Sequence, residues 1–368
     1  MRAIAVIPGQ RDLRRVDRPE PLVESDRGVK MRIVRVGICG TDREEAAGGR
    51  ALAPAGSKDL VIGHEMFGRV IEVGSDVTRV KTGDYAVFTV RRGCGKCRPC
   101  SLNRPDVCLT GEYRERGIWG LDGYQAEFAA DHEQYAVRVP PELAAVGVLC
   151  EPLSVAEKAI NEAMLVQSAR MPEVAPGRAW FAGRRCLVAG LGPIGLLGAL
   201  ALRLRGAEVW GLDIVDAGSA RPRWLEKIGG RYLDGRSVAA GRIDSTLGEM
   251  ELILEATGVP SLVFNLLDAL GQGGVYVLTG IPGGARSIQI PGAELVRQLV
   301  LYNQVMIGSV NAAPAHWEMA VGDLAEARKL WGDHVAQLIS HRHPADDFAA
   351  ALDHHGSDEI KVVLEWSS

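Results

Sequence analysis

The stretch CLVAGLGPIGLLGALALRLRGAEVWGLD, residues 186–213, decides the fold. The short apolar run at its start reads as a buried strand, the glycine-rich hexad after it as a loop, and the long apolar run that follows as a helix. AEVWGLD (207–213) then reads as a second strand. Strand, glycine loop, helix and strand in that order make half of a doubly wound nucleotide-binding sheet. In the hexad Gly190-Leu191-Gly192-Pro193-Ile194-Gly195 the first glycine permits the tight turn. The second lets backbone N–H groups approach a pyrophosphate, and the third lets helix and strand pack closely. Asp213 ends the second strand about 20 residues after the glycines, where a carboxylate accepts hydrogen bonds from a ribose 2′-OH and repels a 2′-phosphate. NAD is favoured on that ground, while Arg221 and Arg223, close downstream, leave NADP open.

Downstream, ELILEATG (251–258), VYVLTG (275–280) and QVMIGSV (304–310) read as further strands of a parallel sheet. Thr257, Gly258, Thr279 and Gly280 stand at strand ends, where open α/β sheets bind ligands, and join the cofactor-binding set. Upstream the pattern changes. MRIVRV (31–36), GRVIEV (68–73), DYAVFTV (84–90) and YAVRVP (135–140) are short apolar or alternating runs between Gly, Asp and Pro, as in a barrel-like β domain. Residues 151–171 carry apolar positions at helical spacing, and 359–366, EIKVVLEW, reads as a last strand.

A chain of 368 residues has room for about two domains. With 42 basic against 46 acidic residues there is no basic excess to favour a nucleic-acid partner or a polybasic membrane surface. The uncharged apolar run Cys186 to Leu202 falls short of the roughly 20 residues that span a bilayer and is broken by glycines and Pro193. The N-terminus lacks the h-region of a signal peptide, so the expected location is cytoplasmic.

Seven cysteines are too few for a disulfide scaffold of this length, and four of them crowd into one segment. Cys94-x2-Cys97-x2-Cys100-x7-Cys108 offers the four thiolates of a closed structural zinc site. An iron–sulfur cluster also takes four thiolates but usually with another final spacing. The segment is locally basic, which raises a zinc-ribbon nucleic-acid module as a rival, yet no aromatic residue for base stacking lies between the cysteines. Cys150 and Cys186 read as buried free thiols.

A second set is dispersed: Cys39 in Gly37-Ile38-Cys39-Gly40-Thr41-Asp42, His64-Glu65 after Gly63, and Glu151 before Pro152. Together they offer the S, N and O ligand types of a catalytic zinc, although spacing alone does not assemble them. The remaining histidines read as surface or packing residues. The groups at 341–343 and 354–355 invite a further metal site but lack carboxylates at obvious helical spacing.

On these residues the sequence resembles, over essentially its whole length, the zinc-dependent branch of the medium-chain dehydrogenase/reductase superfamily. Within that branch it is similar to the archaeal-type glucose dehydrogenases, through Arg92-Gly93-Cys94-Gly95, Thr110-Gly111-Glu112, Glu115, Gly117-Ile118, Asp122-Gly123, Gly308-Ser309-Val310-Asn311 and the tail Glu359-Ile360-Lys361. The resemblance implies an α/β protein in which a GroES-like β-barrel catalytic domain (1–179 and 312–368, with a structural zinc lobe at 91–110) holds an inserted Rossmann coenzyme domain (180–311). It implies two zinc ions per chain. Cys39, His64 and Glu151 would bind the catalytic zinc, with Glu65 as a ligand or an exchanging neighbour, and Cys94, Cys97, Cys100 and Cys108 would bind the structural one. Thr41, Glu115, Glu151 and Asn311 would contact a sugar, Asn311 also lying by the cofactor. Val155 departs from relatives that place an Asp there.

The implied reaction is oxidation of an aldose at C1 to the lactone with hydride transfer to NAD or NADP. Thr41 or Glu65 would carry the proton, and Asp42 would orient His64 by accepting its second ring N–H. A polyol or secondary-alcohol dehydrogenase is the alternative, since Glu151-Pro152-Leu153-Ser154 also occurs in sorbitol-type enzymes; a non-catalytic nucleotide- or nucleic-acid-binding protein is a remote one. A homo-oligomer, tetramer or dimer, is implied, with no nucleic-acid or membrane partner.

Overall fold

The structure, a computed structural model, describes every residue except 172–174, 239–241, 284–286, 355 and 368. It contains two compact units, Met1–Ser154 with Asn311–Ser368, and Val155–Val310. The sequence reading puts the first boundary at 179/180, after the helix Cys150–Arg170. The contacts place most of that helix in the second unit for a physical reason. Glu157 forms a buried ion pair with Arg205 (2.5 Å), and Gln167 Nε2 donates to the Gly273 carbonyl (2.7 Å).

In the first unit the central strand is Gly28–Ile38, buried along almost its whole length. It pairs with Glu65–Val73 on one side and with Lys361–Glu365, from the far end of the chain, on the other, both antiparallel. Tyr85–Phe88, Ala136–Val139, Phe128–His132 and Ile339–Pro344 complete a seven-stranded sheet. Ile4, Val6, Ile38, Leu60, Ile62, Val362 and Leu364 form a core beside it, each buried aliphatic side chain being worth about 1.5–3 kcal/mol. The register sets Gly37 opposite both Glu65 and Val363, and Ile38 opposite Val362. Three chain segments far apart in sequence therefore end or begin at one edge of the sheet, where Cys39 follows directly.

In the second unit six parallel strands are ordered 231–234, 208–213, 185–189, 250–255, 270–278 and 305–308. In chain order within the unit this is 3-2-1-4-5-6, the doubly wound arrangement, with its switch point between Arg185–Ala189 and Met250–Glu255. Leu187, Ala189, Leu212, Ile253, Leu266 and Tyr276 belong to its core. Helix Pro193–Leu204 starts with Gly192 as its cap and Pro193 at the first turn, where the missing N–H costs nothing. Among the described residues no helix is long and apolar enough to cross a membrane.

Candidate active site and nucleotide cradle

Cys39 caps the helix Gly40–Ala46; its Sγ accepts the Thr41 N–H (3.2 Å). His64 stands just before the strand Glu65–Val73, with Nε2 3.5 Å from Cys39 Sγ. Ligand atoms of Cys39, His64 and Glu65 all lie within 4.8 Å of one another. Glu151 is buried and faces the same charges but lies outside that group.

The charges here are tightly interdependent. Burial alone would lower the His64 pKa, but the Cys39 thiolate, with Asp42 and Glu151, holds the imidazole above its ordinary value. Burial, and then Asp42, push the Cys39 thiol up. Burial pushes the Glu151 carboxyl up to about 7, helped by the negative charges of Glu65 and Asp42. Lys361, also buried, donates from Nζ to Glu65 Oε1 (2.5 Å) and to the Ile38 carbonyl (2.9 Å). Burial would lower its pKa, but Glu65 and Cys39 hold it up. Gly37 makes this packing possible: a Cβ there would lie 2.0 Å from Glu65 Oε2 and 2.9 Å from Lys361 Cε.

The site fits zinc. It offers one sulfur, one imidazole nitrogen and carboxylate oxygens in a buried place, and His64 Nδ1 has no hydrogen bond among the described residues, whereas both Glu65 oxygens lie against Lys361 Nζ. One expected contact is missing. Asp42 accepts the Cys39 N–H through Oδ2 (2.8 Å) and not a ring N–H of His64. Asp42 Oδ1 and His64 Nδ1 are both buried without hydrogen bonds among the described residues. As helix-capping partner of Cys39, Asp42 has its carboxylate turned toward the backbone.

Sequence reasoning gave no role to Lys361 or Glu45. A lysine directly before the apolar run Val362-Val363-Leu364 was the available signal, since a buried charge needs a partner. Glu45 is buried on the same helix as Thr41 with neither oxygen hydrogen-bonded among the described residues, and burial followed by the charge of Asp42 pushes its carboxyl up to about 9.

Glu115 and Asn311, far apart in sequence, meet directly. Glu115 Oε1 accepts from Arg91 Nε (3.1 Å), Arg91 Nη2 (2.9 Å) and Asn311 Nδ2 (2.9 Å). Asn311 adopts a left-handed backbone, φ 62°, held by its own Oδ1 accepting the Ala312 N–H (2.8 Å). This converging set leaves Glu115 Oε2 for a further donor. Thr41 is half-buried.

Sulfur atoms of Cys94, Cys97, Cys100 and Cys108 also lie within 4.8 Å of one another, and all four thiols are free. Hydrogen bonds from Thr110 and the Cys97 and Lys96 backbone draw Cys94 down to about 6, whereas burial pushes Cys100 up to about 12. Four converging sulfurs cannot all ionise without a cation between them, and this set fits zinc.

In the second unit a cavity of about 500 Å³ opens at the switch point, lined by Gly190, Gly192, Asp213, Arg221, Thr257 and apolar neighbours. A Cβ at Gly195 would lie 1.8 Å from the Gly190 carbonyl oxygen, so only glycine lets the helix start there. Pro193 and Ile194 form the first turn of that helix. Asp213 uses both oxygens on backbone, accepting from Leu191 N (2.7 Å) and Ile214 N (2.7 Å), and so ties the glycine loop to its strand. Thr257 and Gly258 donate to the buried Glu255 carboxylate, and Thr279 Oγ1 donates to the Glu255 carbonyl (2.7 Å). Gly280 packs against Gly258 at the same strand ends.

Residues 25–141 match the alcohol dehydrogenase GroES-like domain, and 144–366 match the glucose dehydrogenase C-terminus. The chain is 39% identical to glucose 1-dehydrogenase 1 of Caldivirga maquilingensis and 38% identical to glucose 1-dehydrogenase 2 of Vulcanisaeta moutnovskia, each match covering 99% of both chains. The crystal structure of Haloferax mediterranei glucose dehydrogenase in complex with NADP, Zn and gluconolactone superposes with a TM-score of 0.88, at 32% identity and full coverage of both chains. The chain thus belongs to the glucose dehydrogenase family of zinc-dependent medium-chain dehydrogenases, with a GroES-like domain and a doubly wound nucleotide-binding sheet.

Proposed function

We propose that this protein oxidises a glucose-like aldose at C1 to the lactone, passing hydride to NAD or NADP. The observation that carries the reading is the convergence of Cys39, His64 and Glu65 in a chain alike along its full length to glucose 1-dehydrogenases. Cys39 and His64 would hold the catalytic zinc together with a carboxylate of Glu65 or Glu151, and the four-cysteine lobe would hold a structural one. When bound, the catalytic zinc acts as a Lewis acid on the sugar hydroxyl, and the nicotinamide accepts the hydride.

The chain's own residues position and desolvate. Glu115, itself fixed by Arg91, and Asn311 orient sugar hydroxyls. With Glu65 committed to Lys361, Thr41 is the group that carries the hydroxyl proton away. Spectrophotometric assay of aldoses and polyols against both cofactors tests the reading. Aldose-dependent reduction is expected, and turnover of polyols without any aldose would overturn it.

Asp213 and Arg221 line the same cavity, one suited to a 2′-hydroxyl and the other to a 2′-phosphate. Both cofactors are used, NAD in preference. Asp213→Ala is expected to shift the ratio of kcat/KM toward NADP by about tenfold, or ~1.4 kcal/mol, and Arg221→Ala to shift it the other way. Unchanged ratios in both variants would refute the assignment.

The protein self-associates through its second unit, where helix Gly292–Leu301 exposes Val296, Val300 and Leu301 beside the edge strand Val305–Gly308. A monomeric mass by light scattering would contradict this. A reducing, cytoplasmic location suits the free thiols of the zinc lobe.

A further inference from the structure

We propose that the crossover before the last strand holds a divalent cation of its own, apart from both cysteine-containing sites, on His341, His354 and Asp358. His341 lies on the strand Ile339–Pro344, His354 follows the helix Phe348–Asp353, and Asp358 sits in the turn that leads into Lys361–Glu365. One ligand atom from each lies within 4.8 Å of the others, separations that an ion with bonds of about 2.0–2.2 Å closes by small side-chain rotations. His355 lies outside the described residues. Asp358 is the carboxylate that the sequence pattern of the histidines did not reveal.

Polar groups flank His341 on both ring nitrogens. Ser340 Oγ donates to the Lys361 carbonyl (3.2 Å) and accepts from the Ile360 and Lys361 N–H groups. Ser340 Oγ also lies 3.0 Å from His341 Nδ1. On the other side of the ring, His341 Nε2 faces Asp358 Oδ2 at 3.3 Å. The His354 ring lies beside that of His341, centroids 4.0 Å apart, and its Nε2 is buried with no hydrogen bond among the described residues.

The backbone is shaped around these atoms. Gly356 has no side chain where a Cβ would lie 2.3 Å from Asp358 Oδ1 and 3.2 Å from His354 Nε2. Arg43, on the helix that follows Cys39, donates to the His354 carbonyl (3.0 Å) and pairs with Glu359 (2.9 Å), so the loop is anchored on the other side as well. The Asp358 side chain is 71% exposed, which gives the ion a route in and leaves room for water to complete its coordination. Two imidazoles and a carboxylate without sulfur suit zinc, and also cobalt or nickel. Bound there, the ion fixes the turn three residues before Lys361, and with it the lysine that neutralises Glu65.

The experiment is a Co²⁺ titration of the full-length protein after its thiolate sites have been filled with zinc. Binding of about one further equivalent per chain is expected, with weak visible ligand-field bands and no thiolate-to-cobalt charge-transfer band, because no cysteine is a ligand. His354→Gln and Asp358→Asn should each weaken this binding by more than the roughly 10–100-fold that loss of an outer partner costs, while aldose turnover is kept. The comparison reads wild type against variants, so it stands or falls independently of the substrate assignment. Absence of the visible bands in the wild-type protein overturns the proposal and leaves His341 hydrogen-bonded to Asp358. Equal binding by wild type and both variants overturns it too.

Discussion

Cys39→Ala is expected to lower kcat/KM for aldose oxidation by at least about 10³-fold and to release about one zinc per chain, because Lewis-acid activation is worth several kcal/mol of barrier. The geometry makes this residue hard to replace. Cys39 supplies the sulfur of the group it forms with His64 and Glu65, and it is positioned twice, by the Thr41 N–H on its Sγ and by Asp42 on its own N–H. Its charge also sustains the raised pKa of His64. Cys39→Ser keeps the size and offers a weaker oxygen ligand, so it should fall between wild type and Ala. Metal analysis beside the kinetic assay separates the alternatives. A variant that loses activity but retains all of its zinc would show that Cys39 acts in some other way.

Lys361→Met is expected to destabilise the first unit by about 3–5 kcal/mol, the usual cost of leaving one member of a buried ion pair alone. Lys361 is 1% exposed and Glu65 2%, so water does not reach either charge to compensate. Removing both charges should recover most of the loss, so Glu65→Gln with Lys361→Met should be more stable than Lys361→Met by itself. Denaturant unfolding of the three variants reads this directly. If the double variant is no more stable than the single one, the cost lies in packing around the lysine stem and not in the stranded carboxylate.

What could be read from the sequence was local. The glycine hexad 190–195 and the four-cysteine segment each concentrate their chemistry within about 15 residues, and spacing alone carries the geometry of a turn or a chelating loop. The parallel strands announced themselves as apolar runs ending in glycine or small residues. Cys39, His64 and Glu151 needed family resemblance to be grouped, because a sheet register, not a motif, brings distant residues to one edge. The pairing of Glu115 with Asn311 and of Glu65 with Lys361 was hidden for the same reason. Asp42 shows a different limit: residue type and spacing suited a partner for His64, but a helix cap competes for the same carboxylate and takes it. Asp213 likewise sits where the fingerprint requires, while its two oxygens hold the glycine loop in shape.

The strand Lys361–Glu365 lies beside the central strand Gly28–Ile38, yet the entire nucleotide-binding unit is synthesised between them. That unit, Val155–Val310, is one continuous stretch and can fold as soon as it emerges. The sheet carrying Cys39 and Glu65 cannot close until the last strand arrives, and contacts of such sequence separation form slowly. A chain synthesised as far as Val310 has every strand of the parallel sheet, but its Glu65 carboxylate still lacks the lysine that arrives with the last strand.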